Sequence, residues 1–167
     1  MAVDDVAAQL LIVWHSRTGA SRAMAQAAAK GAMAAGGCRL IEAVQARPEH
    51  LLAASCYLFC CPENLATVTG EMKAFFDRCY YPLLGQIEGR AYATMIAAGS
   101  DGAGATRQID RIVSGWRLRR VTEPMIACTQ AQTPEEILSE KTLSSEVLQE
   151  CHNLGQTLAT GLALGVF

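Results

Sequence analysis

The sequence predicts an α/β protein built on a doubly wound parallel sheet of five strands. Continuous apolar runs such as Leu10–Trp14 are typical of parallel strands that are covered on both faces. Segments with the apolar spacing of amphipathic helices alternate with these runs along the chain. Because connections between parallel strands are right-handed, this alternation predicts one sheet with helices on both of its faces.

Size and composition agree with a single domain over residues 1–167. Hydrophobic residues make up 51% of the chain and charged residues 18%, which excludes a disordered protein and provides enough apolar surface for a full core. The formal net charge of -2 gives no electrostatic reason to expect a nucleic-acid partner. The arginines at 117, 119 and 120 form only a local basic patch.

The cysteines and the N-terminal residues indicate the cellular location of the protein. Seven cysteines without a Cys-x-x-Cys pair predict reduced thiols, with neither a disulfide scaffold nor a metal site. No apolar run is long enough to span a bilayer, and the acidic start Met1–Val6 lacks the basic head of a signal peptide. We therefore expect a cytoplasmic protein without a membrane span.

The first half of the chain predicts three strands. Leu10–Trp14 is the first strand, and the helix after it ends at Gly36 and Gly37, which suit a left-handed cap. A second strand is expected near residues 39–44, and a short crossover at residues 47–52 leads into a third strand, Cys56–Cys60. The residues expected on one face of the first helix, towards the core, are Met24, Ala27, Ala28, Gly31 and Ala35.

The second half predicts two more strands and three helices. A loop over residues 61–69 precedes an amphipathic helix that Pro82 stops, and the fourth strand is expected at residues 92–97. A helix over residues 105–116 is followed by a fifth strand within residues 121–128. Thr133–Glu136 is a capping box with proline at the first helical position, so it predicts the start of the last helix. The buried stripe of that helix is Leu143, Val147, Cys151, Leu154, Leu158 and Leu162.

The loop after the first strand carries the clearest chemical signal. Hydroxyl side chains and a glycine stand at residues 16–21, between a buried strand and a helix start. Free backbone N–H groups and the positive end of a helix dipole bind phosphate there without a lysine. The spacing Ser-x-Thr-Gly-x-Ser resembles the FMN phosphate loop of flavodoxins. An ordinary helix N-cap is the alternative interpretation.

The loop after the third strand carries a longer motif. Pro-x-x-x-x-x-x-x-Gly-x-x-Lys-x-Phe-x-Asp-Arg begins at Pro62 and ends at Arg78. It resembles the NADPH-dependent FMN reductase and flavodoxin-like quinone reductase families, and residues 98–104 are similar to their third flavin-contacting loop. The resemblance implies a flavodoxin-like three-layer sandwich with strand order 2-1-3-4-5. It also implies FMN as cofactor. The residues implied to hold its phosphate are Ser16, Arg17, Thr18, Gly19, Ala20 and Ser21. Those implied to border its ring are Pro62, Glu63, Asn64 and Leu65 on one side and Gly99, Ser100, Asp101 and Gly102 on the other.

The resemblance further implies an oxidoreductase that takes hydride from NAD(P)H and reduces a quinone, a flavin or a similar small acceptor. The flavin performs this chemistry, so no catalytic side chain is expected. A homo-oligomer, dimer or tetramer, is expected, with residues 80–84 as a plausible contact. The alternatives are a flavodoxin-like electron carrier and a non-redox binding module on the same fold.

Other residues have a functional and a structural interpretation. Lys73, Asp77 and Arg78 are catalytic groups or, as we favour, a helix-surface ion pair or subunit contact. His15 approaches the ring or the substrate, or it is a packed or solvent-facing residue. Glu63 borders the flavin or caps a loop. Trp14 and Trp116 are expected in the core or an interface, and Cys60 and Cys61 as small apolar residues. The loops beside the ring contain no aromatic residue, which predicts weaker flavin retention and one open ring face.

Overall fold

A parallel sheet forms the centre of the structure, a computed structural model that describes residues 9–167. The acidic start Met1–Val6 lies outside the described residues. The strands are β1 (Leu10–Trp14), β2 (Cys38–Glu42), β3 (Cys56–Asn64), β4 (Thr67–Val68), β5 (Ala91–Ala98), β6 (Arg119–Arg120) and β7 (Met125–Cys128).

The strand order is β2-β1-β3-β5-β6, and β7 also pairs with β5. β6 pairs with the start of β5, where Ala91 lies opposite Arg119, and β7 pairs with its end, where Ala98 lies opposite Cys128. The two short strands therefore act as one interrupted fifth strand. The predicted order 2-1-3-4-5 of a flavodoxin-like three-layer sandwich is confirmed.

Helices cover both faces of the sheet. They are α1 (Ala20–Met33), α2 (Pro48–Leu52), α3 (Gly70–Leu83), α4 (Ala103–Gly115), α5 (Pro134–Leu138) and α6 (Ser145–Ala163). Within residues 9–167, no helix is long and apolar enough to cross a membrane.

The sheet divides the core into two clusters. The cluster under α3 and α4 is aromatic and includes Phe59, Phe76 and Trp116. The cluster under α1 and α6 is built from smaller side chains, such as Met24 and Leu158.

α1 and α6 cross at two glycines. A Cβ atom on Gly31 would lie 1.9 Å from the carbonyl oxygen of His152, and one on Gly155 would lie 1.9 Å from that of Ala28. Only residues without a Cβ allow two helix backbones to approach this closely. The contact holds α6 against α1, whose first residues, Ala20 and Ser21, are also the end of the predicted phosphate segment 16–21.

The predicted loop over residues 61–69 is in fact a strand extension and a hairpin. β3 continues to Asn64, and Glu63 and Asn64 pair with β4 in antiparallel register. Leu65 and Ala66 form the turn with φ angles of 51° and 62°. Glycine and asparagine are the residues that favour such a turn, so leucine and alanine at these positions are no local signal for it.

The prediction of one last helix from Thr133 is wrong in detail. The capping box exists, since the Thr133 hydroxyl accepts from Glu136 N, but it opens the five-residue helix α5. α6 is a separate helix with its own N-cap, Ser144. In α3, Pro82 lies in the last turn, and the helix ends one residue later at Leu83.

Candidate functional site

A cleft lies at the carboxyl ends of the sheet strands, where α/β proteins of this type bind ligands. Its volume is about 170 Å³. An adjoining cavity of about 370 Å³ lies on the other side of the loop at residues 16–18 and also contacts Gly19. The predicted site residues that line the cleft are Ser16, Arg17, Thr18, Ala20, Ser21, Pro62, Glu63, Asn64 and Gly99.

The loop after β1 presents hydrogen-bond donors to this cleft. Gly19 adopts the left-handed region at φ 98° and donates its N–H to Ser16 Oγ at 3.0 Å, which turns the chain into α1. The first helical bond of α1 runs from Ala23 N to Gly19 O, so the N–H groups of Ala20 and Ser21 have no acceptor among the described residues. They lie at the positive end of the helix dipole.

Ser21 is a second observation that favours an anion-binding role for this loop. The residue is 1% exposed, and its Oγ atom has no hydrogen-bond partner among the described residues. A buried hydroxyl without a partner is rare and unfavourable in proteins. A phosphate oxygen at the start of α1 would accept from Ser21 Oγ and from the free N–H groups. The loop therefore fits the phosphate of a cofactor such as FMN.

The β3–β4 hairpin forms a rigid wall of the cleft. The Glu63 carboxylate accepts from Gly102 N and from Ala105 N, both at 3.0 Å, so it caps the start of α4. Gln108 Oε1 accepts from Val68 N at 2.8 Å and ties β4 to the same helix. Glu63 therefore has a structural role as the cap of a helix rather than of a loop, and it also lines the cleft.

Four predicted ring-contacting residues do not line the cleft. Leu65 is 90% exposed at the hairpin turn. Ser100 and Asp101 are exposed, and Gly102 is buried against Ile126, whose Cγ2 atom would lie 2.6 Å from an added Cβ. Gly99 lines the cleft, but its small size serves a contact within the protein, because an added Cβ would lie 2.9 Å from Ala131 O.

A further segment of the chain completes the cleft and was not predicted. It follows β7 and contains α5, whose capping box was assigned to the last helix instead. One sequence signal for a separate helix exists: the capping box at Thr133 lies well before the apolar stripe that α6 buries. The lining residues missed in this segment are Thr129, Ala131, Ile137, Leu138 and Lys141.

His15 points away from the cleft. Its Nδ1 atom lies 2.8 Å from Thr69 Oγ1, and its Nε2 atom lies 3.6 Å from a carboxylate oxygen of Glu71. Burial lowers the pKa of His15 below 6.5, although Glu71 acts in the opposite direction. The packed interpretation of His15 is correct, and the residue does not reach the cleft.

The remaining candidates are structural. Lys73 and Asp77 form an ion pair one helical turn apart on the surface of α3. Arg78 is not part of that pair and donates instead to the carbonyl oxygens of Ala43 and Ala46. Trp116 is fully buried, as expected.

The two adjacent cysteines are not poised as nucleophiles. Burial raises the pKa of the Cys61 thiol to about 12 and that of Cys60 well above its ordinary value. Both thiols therefore stay protonated at neutral pH and behave as small apolar groups, as the sequence predicts.

Within residues 9–167, no aromatic side chain lines the cleft, while Trp14 lines the adjoining cavity. The cleft is instead bordered by aliphatic groups, among them Pro62, Ala97, Ile137 and Leu138. A planar ligand would contact these rather than an aromatic ring.

Comparison with known proteins identifies the family. Residues 35–132, more than half of the chain, match the family model described as NADPH-dependent FMN reductase. The chain belongs to this family. As a member of the NADPH-dependent FMN reductase family, it is also similar to a flavodoxin from Aquifex aeolicus (strain VF5), with 27% identity over 95% of this chain and 89% of that protein.

Solved structures share the fold. A flavodoxin from the domain Archaea has a TM-score of 0.74 at 17% identity, with 92% of this chain and 98% of that one covered. A flavodoxin, WrbA-like protein from Agrobacterium tumefaciens has a TM-score of 0.74 at 16% identity, with 94% and 98% covered. The flavodoxin-like fold expected from the sequence is confirmed.

Proposed function

We propose that this protein is an FMN-binding oxidoreductase that uses NAD(P)H to reduce a quinone, a flavin or a similar small acceptor. The observation that carries the proposal is the unpartnered, buried Ser21 hydroxyl beside free N–H groups in the lining of the cleft. Membership in the NADPH-dependent FMN reductase family supports it.

The residues have distinct proposed tasks. The backbone and hydroxyl groups of residues 16–21 hold the phosphate at the start of α1. The ring lies against Pro62, Glu63 and Asn64 on one side and Gly99 on the other, which are the predicted ring-contacting residues that line the cleft. FMN, when bound, supplies the hydride and electron chemistry.

The protein itself then acts by binding, orientation and water exclusion. No proton transfer is assigned to His15, because its ring nitrogens face Thr69 and Glu71 rather than the cleft. The high pKa of Cys61 likewise argues against a thiolate nucleophile. We therefore assign no catalytic side chain.

Two measurements on the purified protein test the proposal. Titration with FMN, followed by flavin absorbance and fluorescence, should show saturable binding. With FMN bound, oxidation of NADPH or NADH should proceed when a quinone or free flavin is supplied, and the ratio of the two rates defines the donor. Bound FMN without turnover of either nucleotide for any acceptor would contradict the enzymatic part.

A flavodoxin-like electron carrier is the second candidate. The similarity to the Aquifex aeolicus flavodoxin over 95% of this chain favours it. It predicts tight FMN binding with negligible oxidation of NAD(P)H and electron exchange with partner proteins. A protein that cannot be reconstituted with FMN would instead be a non-redox binding module.

We also propose a homo-oligomer in the cytoplasm. Tyr81 is 79% exposed and Leu84 47% exposed at the end of α3, which supports a subunit contact there. None of the seven cysteines forms a disulfide, which supports a reducing compartment. Sedimentation velocity of the wild type and of Tyr81→Ser tests the contact, since the substitution should shift an oligomer towards monomer.

A further inference from the structure

The segment between β7 and α6 is attached across the cleft at both ends. We call residues 129–141 the strap. At its start, Thr129 N donates to Ala98 O at 2.8 Å and Gln130 N donates to Gly99 O at 2.7 Å. At its end, Lys141 N donates to Thr18 O at 2.8 Å. The strap thus runs from the end of β5 to the loop proposed to hold phosphate.

The helix within the strap is stabilised locally and not by packing. α5 has no buried residue. The capping box of Thr133 and Glu136 holds its first turn. Lys141 Nζ donates to the carbonyl oxygens of Glu136, Ile137 and Ser139 at its end. A five-residue helix needs such contacts, because so short a helix is unstable by itself.

The apolar residues of α5 lack a partner. Ile137 is 48% exposed and Leu138 is 68% exposed, and both line the cleft. Their exposed surface is unfavourable in water and becomes favourable when an apolar group covers it. Lys141, the neighbouring cation, is already engaged with the α5 carbonyl groups.

Leu138 also lies beside two spaces, which share Ser16, Arg17 and Thr18 as further lining residues. It lines both the cleft of about 170 Å³ and the adjoining cavity of about 370 Å³. Sites for small ligands usually measure roughly 300–1,000 Å³, so the cleft alone is small for a cofactor. Leu138 is therefore within reach of a ligand that extends from the cleft into the adjoining cavity.

We propose that the strap is a fourth flavin-contacting segment, in which Ile137 and Leu138 cover the isoalloxazine ring of FMN. This inference rests on the proposed function. The aliphatic pair takes the place of the aromatic side chains that the described residues do not supply to the cleft. The bond from Lys141 to Thr18 couples the position of the strap to the loop that holds the phosphate.

Binding measurements with two flavins test the strap. In Ile137→Ser and Leu138→Ser, the dissociation constant should rise about ten-fold for FMN and by a similar factor for riboflavin, because the loss is at the ring and not at the phosphate. Leu164→Ser is the matched control, since Leu164 is 73% exposed and lines neither space. It should leave both constants within about two-fold of the wild type.

Hydrogen exchange provides a readout without substitutions. FMN should slow amide exchange in residues 131–141 of the wild-type protein as well as in residues 16–22. Protection confined to residues 16–22, or serine variants that bind both flavins as the wild type does, would overturn the strap proposal while leaving FMN binding intact. A wild-type protein that fails to bind FMN would overturn the proposed function, and the strap inference with it.

Discussion

Ser21 and Thr94 carry the two buried hydroxyl groups that lack a hydrogen-bond partner among the described residues. Ser21 lines the cleft, whereas Thr94 lies within β5 and does not. A buried hydroxyl without a partner costs about 1–3 kcal/mol of stability. Thr94 is therefore a matched control for Ser21, because only the Ser21 hydroxyl lies where a bound ligand would become its hydrogen-bond partner.

We expect Ser21→Ala to weaken FMN binding without lowering the stability of the protein. The melting temperature should stay the same or rise, because an unsatisfied group is removed, while the FMN dissociation constant should rise about ten-fold, as for a lost hydrogen bond to a charged group. Thr94→Val is the control and should leave FMN binding unchanged. Thermal unfolding and fluorescence titration measure both effects, and an unaltered FMN constant in Ser21→Ala would contradict the assignment.

His15 should make stability depend on pH. Its pKa in the folded protein is lowered by burial, so the unfolded chain, with a pKa of about 6.5, takes up the proton first as the pH falls. Its contribution is fully present above about pH 6.5 and is lost below it. Urea unfolding between pH 5 and pH 8 should show this slope, and His15→Gln should reduce it. An equal slope in the variant would assign the effect to other groups.

Among the secondary-structure elements, the β3–β4 hairpin holds backbone strain. Leu65 and Ala66 have positive φ angles of 51° and 62° and exposed side chains. The left-handed region costs a residue other than glycine about 1–2 kcal/mol. The combined substitution Leu65→Asn and Ala66→Gly should therefore raise the free energy of unfolding by about 1 kcal/mol in urea. A loss of stability would show that the turn depends on the present side chains.

The crossing of α1 and α6 should be intolerant of a single methyl group. Gly155→Ala places a Cβ at 1.9 Å from Ala28 O, so the helices must separate, and we expect a loss of about 2–3 kcal/mol in chemical denaturation. Gly70→Ala is the matched control, because an added Cβ there meets nothing within 4 Å at the start of α3. It should be neutral or slightly stabilising. Equal effects of the two changes would contradict the close contact.

Elements with strong periodic patterns were predictable, and irregular ones were not. β1 has the predicted bounds Leu10–Trp14, since a fully apolar run bounded by polar residues leaves no other strand position. The hairpin turn at Leu65 and the strap depend on contacts with α4 and with Thr18, which lie far away in sequence. The loop proposed to hold phosphate was predictable from local spacing, whereas the Ile137 side of the cleft exists only through tertiary structure.

For the whole molecule, FMN should act as a stabilising ligand. At a concentration 100-fold above its dissociation constant, a ligand that binds only the folded state adds about 2.7 kcal/mol. For a chain of 167 residues this corresponds to a rise in melting temperature of roughly 5–10 °C. Riboflavin at the same concentration should give a smaller rise, because it lacks the phosphate. Equal shifts in differential scanning calorimetry would contradict the role of residues 16–21.

The interrupted fifth strand also affects whether strands of other protein molecules can pair with this edge of the sheet. Its pieces, β6 and β7, are short, and Pro124 between them has no N–H to donate. Charged side chains line this border of the sheet: Arg119 is exposed, and Arg120 forms ion pairs with Asp110 and Glu123. Short pieces, proline and charge discourage the addition of a foreign β-strand. This border of the sheet is therefore a poor site for a strand of another copy to pair with.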